Sequence, residues 1–178
     1  LSRRDPQSVS RSKVMRQMER DRQAGKGLTD EVKAVYAALE KAGLTVDPEG
    51  TDLGSTIFAN MPGDGSAREQ AASCQRVMGA AANFAKAYAT KRYRSNCINW
   101  GMTPFLVENP EVFELGDYIF VPNVRAHVLA NDEKFPAYAV KADGTVTKFN
   151  VSTGALTQPE RQIIADGCLI NYYASLNK

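Results

Sequence analysis

The stretch TIFANMPGDGSAREQAA spans Thr56–Ala72 and contains three patterns in succession. TIFAN is a short apolar run typical of a strand, and MPGDGS is a loop that contains two glycines. The residues that follow, 67–78, have helical composition and stop at Gly79. A strand, a glycine loop and a helix in this order predict a mixed α/β domain.

The loop Gly63–Ser66 is suited to bring an anion to the start of the predicted helix. Glycine lets the backbone turn tightly and approach a ligand, and a helix N-terminus presents unpaired N–H groups and a positive dipole end. Arg68 can grip a carboxylate with two N–H groups, and the Ser66 hydroxyl projects to the same place. We therefore predict a carboxylate pocket made by Ser66, Arg68 and the backbone of Gly65 and Ala67.

A second interpretation gives Ser66 a purely structural role. Its hydroxyl would cap the helix, and Glu69, three residues later, would complete a capping box. Spacing alone favours this capping interpretation.

Short apolar runs and helical patterns alternate after the loop. They predict strands at 83–88, 104–107, 118–121, 137–140 and 145–151, with the last two forming a hairpin, and helices at 90–100 and 157–165.

The first fifty residues have a different composition. Residues 1–26 carry eight Lys or Arg against three Asp or Glu, which is typical of a solvated helix or linker, and residues 28–43 have the spacing of an amphipathic helix. Pro48 and the glycines after it interrupt this pattern. We predict a charged helical extension or linker at 1–50 and a main domain at 51–178.

Composition limits the function classes. A chain of 178 residues with 43% apolar content can bury one core, and a formal net charge of +2 lacks the basic footprint of a dedicated nucleic-acid binder. No apolar run has the length needed to cross a bilayer, and the first residues do not resemble a signal peptide. We therefore expect a soluble protein with no membrane or nucleic-acid partner.

The cysteines and the single histidine give no metal motif. Cys74, Cys97 and Cys168 lie 23 and 71 residues apart, a spacing that fits neither a zinc ribbon nor an iron–sulfur ligand run, so no metal site is predicted. Sparse free thiols indicate a reducing compartment, and we expect a cytoplasmic location. We interpret Cys97 as a packing residue and His127 as a strand or loop residue.

Several motifs together resemble the swivel domain of the aconitase superfamily, which includes isopropylmalate isomerase small subunits. Gly63–Glu69 is similar to the Gly-x-Gly-Ser-Ser-Arg-Glu signature, although Ala67 replaces the second serine and Gln70 stands where histidine is common. Further matches follow in the same order at Gln75-Arg76-x-x-Gly79, Arg94-Ser95-Asn96, Asn96-Cys97-x-x-x-Gly101-Met102-x-Pro104, Leu115-Gly116-Asp117 and Gly167-x-Leu169-x-Asn171-Tyr172. The resemblance covers about residues 56–173.

The resemblance implies a swivelling β/β/α domain with an added N-terminal helical segment, and a hydro-lyase activity of the aconitase-like hydratase type. In the family, a serine at the position of Ser66 removes a proton from the carbon next to a carboxylate, and the arginine matched by Arg68 binds a carboxylate. A 4Fe-4S cluster in other domains acts as Lewis acid on the departing hydroxyl. The chain is therefore expected to bind no cofactor and to be inactive alone. Its expected partners are cluster-bearing domains and a small hydroxy polycarboxylic acid.

Three settings for such a chain remain open. The first is the C-terminal domain of a single-chain hydratase, and the second is a free small subunit that pairs with a separate large subunit. The third is a non-catalytic regulatory or RNA-binding module. A charged helical start without methionine favours the domain. Near-neutral charge and the retained Ser66-Ala67-Arg68 argue against the RNA-binding module.

Overall fold

The computed structural model describes residues 5–177, so residues 1–4 and 178 of the predicted segments lie outside the described part. The helices are α1 (Ser8–Gln23), α2 (Asp30–Lys41), α3 (Arg68–Val77), α4 (Lys91–Asn99), α5 (Val124–Ala130), α6 (Gln158–Ala165) and α7 (Leu169–Leu176). The strands are β1 (Ser55–Ala59), β2 (Ala80–Ala85), β3 (Thr103–Val107), β4 (Tyr118–Phe120), β5 (Phe135–Val140) and β6 (Val146–Ser152). The predicted mixed α/β class is confirmed.

The strands form one mixed sheet in the order β1-β2-β3-β6-β5-β4. β1, β2 and β3 are parallel and are connected by α3 and α4, whereas β6, β5 and β4 continue the sheet with antiparallel pairing. Parallel strands end at the same edge of a sheet, which is where loops of α/β proteins collect ligands. The β1–α3 loop, which contains Ser66, therefore lies beside the β2–α4 loop.

The two faces of β2 pack against different layers, because side chains alternate along a strand. Phe84 joins the aromatic core of the central strands, where it stacks on Phe105 with ring centroids 5.0 Å apart. Asn83 faces the other way, towards Tyr93 and Cys97 of α4. The helix layer that carries the loop is thus packed directly on the parallel strands.

Both helices of the N-terminal segment rest on the sheet. α2 buries Val32, Tyr36 and Leu39 against the antiparallel strands. Arg22 of α1 donates to the Glu49 carbonyl oxygen at 2.7 Å and pairs with Asp52 at 2.9 Å, which fixes the chain just before β1. The predicted helical character of this segment is confirmed, and its separation from a main domain at residue 51 stays a prediction. No helix within residues 5–177 is both long and apolar enough to span a membrane.

Some local predictions are wrong. β2 begins three residues earlier than predicted and ends at Ala85, because Ala80–Ala85 pairs with β1 and the next residues form the loop. His127 lies in α5, not in a strand or loop, and α7 is a helix that the sequence patterns did not indicate. These two short helices contribute Val128 and Leu169 to one apolar cluster. Helices this short depend on tertiary packing, which a local pattern does not contain.

The close approach of Gly101 to Gly167 gives a test of the fold. Gly101 has φ +74°, and a Cβ added there would lie 1.7 Å from the Gly167 carbonyl oxygen. We expect Gly101→Ala to lower the free energy of unfolding by at least about 3 kcal/mol in urea titrations. Gly144→Ala is the matched control, since Gly144 has φ +84° but nothing within 4 Å, and it should lose only about 1–2 kcal/mol from left-handed strain. Equal losses would contradict this packing.

Candidate functional site

The β1–α3 loop is hydrogen-bonded along its first half to the β2–α4 loop. The Ala87 N–H donates to the Asn60 carbonyl oxygen at 3.0 Å, and the Ala89 N–H donates to the Pro62 carbonyl oxygen at 3.0 Å. These bonds continue the parallel pairing of β1 and β2 beyond the ends of both strands. The path of the loop as far as Gly63 is therefore set by its neighbour.

Gly63 is the point at which the loop, α3 and α4 meet. It has φ +98°, and a Cβ added there would lie 2.5 Å from Cβ of Tyr93, so only glycine fits. Its carbonyl oxygen accepts hydrogen bonds from Nε of Arg68 and from Oγ1 of Thr90, both at 3.1 Å. The same Thr90 hydroxyl caps α4 by accepting from the Tyr93 N–H at 3.3 Å.

Ser66 is exposed and lies two residues before the first residue of α3. Within residues 5–177 its hydroxyl has no hydrogen-bond partner, and neither do the backbone N–H groups of Ser66, Ala67 and Arg68. Polar groups at a helix start are normally satisfied by a cap, by water or by a ligand. The start of α3 is therefore open to an anion from outside the chain.

The capping interpretation of Ser66 is wrong. The N-cap residue of α3 is Ala67, and among the described residues no side chain caps this helix. The Glu69 carboxylate, which a capping box would require, accepts instead from Nε1 of Trp100 at 2.9 Å. The bond from Trp100 connects α3 to the end of α4. Because Glu69 is engaged there, no capping box forms, and the Ser66 hydroxyl does not stabilise the helix start.

The loop orients the Arg68 side chain but does not use all of its hydrogen-bond donors. Its side chain is partly buried, and its Nε is engaged by the Gly63 carbonyl oxygen. Its two terminal nitrogens have no partner within the described residues. A carboxylate would thus meet the guanidinium end-on through these two nitrogens, the bidentate geometry that arginine favours. Asp64, the acidic residue of the loop, is exposed, where solvent screens its charge.

Gly65 differs from Gly63 because the fold does not demand a glycine there. A Cβ added at Gly65 would meet nothing within 4 Å, and its φ lies outside the left-handed region. The space beside the Gly65 backbone is therefore free, as an approaching ligand requires.

A buried polar cluster supports the loop from below. Asn83 of β2 donates from Nδ2 to Oε1 of Gln75 on α3 at 2.9 Å, and its Nδ2 lies 3.1 Å from the Tyr93 hydroxyl of α4. Burial raises the pKa of the neighbouring Cys97 thiol to about 11, so this thiol stays protonated and unreactive at neutral pH. The interpretation of Cys97 as a packing residue is confirmed by its complete burial.

Sequence reasoning missed Thr90, Tyr93 and Gln75 as supports of the loop. Thr90 carries the only local signal, that of a threonine directly before a helix. The contact of Tyr93 with Gly63 crosses 30 residues of chain and had no sequence signal.

A surface cavity of about 380 Å³ lies at the same edge of the sheet, beside the ends of β2 and β3. Lys134 in its wall pairs with Glu108 at 2.6 Å, and Lys86 faces Glu111 at 3.9 Å. Carboxylates of the chain itself thus match both ammonium groups. Neither Ser66 nor Arg68 lines this cavity. Both lysines that line it already face carboxylates, so neither ammonium group is left to bind an anion.

The thiols of the chain do not fit an iron–sulfur cluster. Cys74 is exposed on α3, Cys97 is buried in the core, and Cys168 precedes α7. Within residues 5–177, no three His, Cys, Asp or Glu side chains lie close enough to hold a metal ion.

No family model matches the chain, and no curated protein matches it significantly. Among solved structures, the chain is similar to 3-isopropylmalate dehydratase (LeuD) from Methanocaldococcus jannaschii, with 25% sequence identity and a TM-score of 0.49 over 81% of this chain and 78% of that chain. The name of this solved structure is of the same enzyme type as the isopropylmalate isomerases that the motifs around Ser66 resemble. At this TM-score the likeness assigns no residue a role.

The open start of α3 leads to a prediction about stability. Because the Ser66 hydroxyl caps nothing, we expect Ser66→Ala to change the free energy of unfolding by less than about 0.5 kcal/mol. Thr157→Ala is the reference, since Thr157 forms a complete capping box with Glu160 and should lose about 1 kcal/mol. Thermal and urea unfolding of both variants would check this, and an equal loss in Ser66→Ala would restore the capping interpretation.

Proposed function

We propose that the chain supplies a catalytic serine, Ser66, and a carboxylate-binding arginine, Arg68, to an aconitase-like hydro-lyase. The reaction would be the reversible removal of water from a small hydroxy polycarboxylic acid. The observation that carries this proposal is that, within residues 5–177, the Ser66 hydroxyl at the start of α3 has no partner. Arg68, two residues later, is held through Nε, and its terminal nitrogens have no partner within these residues either. A hydroxyl without a structural role and an oriented cation are what such a reaction requires.

The two residues would act at different points of the substrate. Arg68 and the N–H groups of Gly65–Ala67 bind a carboxylate, and Ser66 takes the proton from the adjacent carbon. The C–H electron pair forms the new double bond while hydroxide leaves from the neighbouring carbon. The proton that Ser66 has taken then passes to this hydroxide, directly or through solvent, so the products are an unsaturated acid and water and the serine base is restored. A serine hydroxyl is a very weak acid, and its alkoxide needs the stabilisation that these N–H groups and the guanidinium offer.

This chemistry needs partners beyond the chain. Ser66 is exposed, and the stabilisation of an alkoxide is strong only where water is excluded, so a companion domain or subunit would have to cover the loop. The companion would also hold the 4Fe-4S cluster, which when bound supplies a Lewis acid for the departing hydroxyl. Both a single-chain enzyme and a separate large subunit satisfy this requirement. Free thiols are typical of a reducing compartment, which supports a cytoplasmic location for such an enzyme.

Kinetics of the complete enzyme separate the two roles. A base acts mainly in the transition state, so Ser66→Ala should lower kcat by at least about a hundredfold with little change in KM. Arg68→Lys keeps the charge but loses the planar fork, so KM should rise and kcat should also fall. The measurement follows the ultraviolet absorbance of the conjugated acid for a panel of hydroxy polycarboxylates.

Ser73→Ala is the matched control because Ser73 lies on the same helix. Within residues 5–177 its hydroxyl bonds only to the Gln70 carbonyl oxygen. It should leave both kinetic constants unchanged. Near-normal turnover in Ser66→Ala would exclude Ser66 from the chemistry.

The dependence on a companion is tested separately. We expect the purified chain to show no hydratase activity and to bind no cluster after incubation with iron and sulfide. Activity should appear when the cluster-bearing part is restored, as a second chain or as a longer version of this one. An absorbance band of a reconstituted cluster, stoichiometric with this chain alone, would refute the assignment of the cluster to a companion.

A further inference from the structure

We infer that Thr90 is a positioning residue of the proposed site, since its hydroxyl fixes the carbonyl group that orients Arg68. This inference rests on the proposed function of Ser66 and Arg68. It concerns the hydrogen bond from Oγ1 of Thr90 to the Gly63 carbonyl oxygen, 3.1 Å long, which crosses 27 residues of chain.

The Thr90 hydroxyl takes part in two hydrogen bonds, one as donor and one as acceptor. A hydroxyl has one hydrogen to donate, and Thr90 gives it to the Gly63 carbonyl oxygen, while a lone pair accepts from the Tyr93 N–H. One side chain thus caps α4 and ties the site loop to it. A valine at this position keeps the shape of the side chain but can make neither bond.

Gly63 is constrained in two directions. Contact with the Tyr93 ring prevents it from moving towards α4, and the Thr90 hydroxyl resists its movement away. The carbonyl oxygen of Gly63 therefore has a fixed place from which it accepts the Arg68 Nε–H. Because Nε is held, the terminal nitrogens of the guanidinium have a defined direction.

Loss of the Thr90 hydroxyl should therefore make the orientation of the Arg68 side chain less defined, while its charge stays in the site. The backbone bonds from Ala89 to Pro62 and from Ala87 to Asn60 would still join the two loops, but neither holds the Gly63 carbonyl group. A displacement of about 1 Å at a reacting group can cost up to about a hundredfold in rate. We expect kcat/KM of Thr90→Val to fall at least about tenfold, mostly through KM, and Thr90→Ser to restore most of it.

Thr29→Val controls for the loss of a helix cap. Thr29 caps α2 by accepting from the Val32 N–H at 3.4 Å, and its hydroxyl donates to no group within residues 5–177. Both valine variants should lose about 1 kcal/mol of stability, and only Thr90→Val should change the kinetics. If Thr90→Val keeps the kinetic constants of Thr29→Val, the positioning role is refuted.

A second measurement does not depend on activity. Exchange of the Arg68 Nε–H with water, followed by nuclear magnetic resonance on the chain itself, should quicken about tenfold in Thr90→Val and stay unchanged in Thr29→Val. Unchanged exchange in Thr90→Val overturns the inference even if the proposed function holds. Full activity in Ser66→Ala and Arg68→Lys would instead refute the proposed function, whatever the exchange shows.

Discussion

The contact between Gly63 and the Tyr93 ring is the constraint on which the candidate site depends. It requires a residue without Cβ at φ +98°, and it brings the β1–α3 loop down onto α4. In this position the Gly63 carbonyl oxygen accepts hydrogen bonds from Nε of Arg68, in α3, and from Oγ1 of Thr90, the N-cap of α4. One backbone group thus sets the relation between two helices and the loop that joins one of them to the sheet.

The layer beneath the loop explains why this arrangement is firm. Gln75, Asn83 and Tyr93 come from three different elements and share hydrogen bonds in the interior. These hydrogen bonds fix the relative placement of the three side chains, because a displacement would break at least one of them. Oδ1 of Asn83 takes no part, since it has no hydrogen-bond partner within residues 5–177. The loop rests on this cluster, so its supported part should be rigid while its tip is exposed.

The tip itself holds polar groups that have no partner among the described residues 5–177. At the surface this costs little, because water can bond to the N–H groups before α3 and to the Ser66 hydroxyl. In the proposed assembly a companion would cover the loop, the same groups would then need a partner, and a carboxylate substrate would supply it. The same surface is therefore tolerated in the free chain and suited to binding in an assembly.

Local patterns along the chain determined the strand–loop–helix unit and the neighbourhood of Ser66 and Arg68, because residues two apart at a helix start must lie close together. They also located most strands and helices, but not α5 and α7, whose apolar residues are stabilised by distant neighbours. Only the tertiary structure decided whether Ser66 caps its helix. Glu69 meets Trp100 across 31 residues, and Thr90 meets Gly63 across 27. Such contacts depend on how the helices pack on the sheet, and no local spacing encodes that packing.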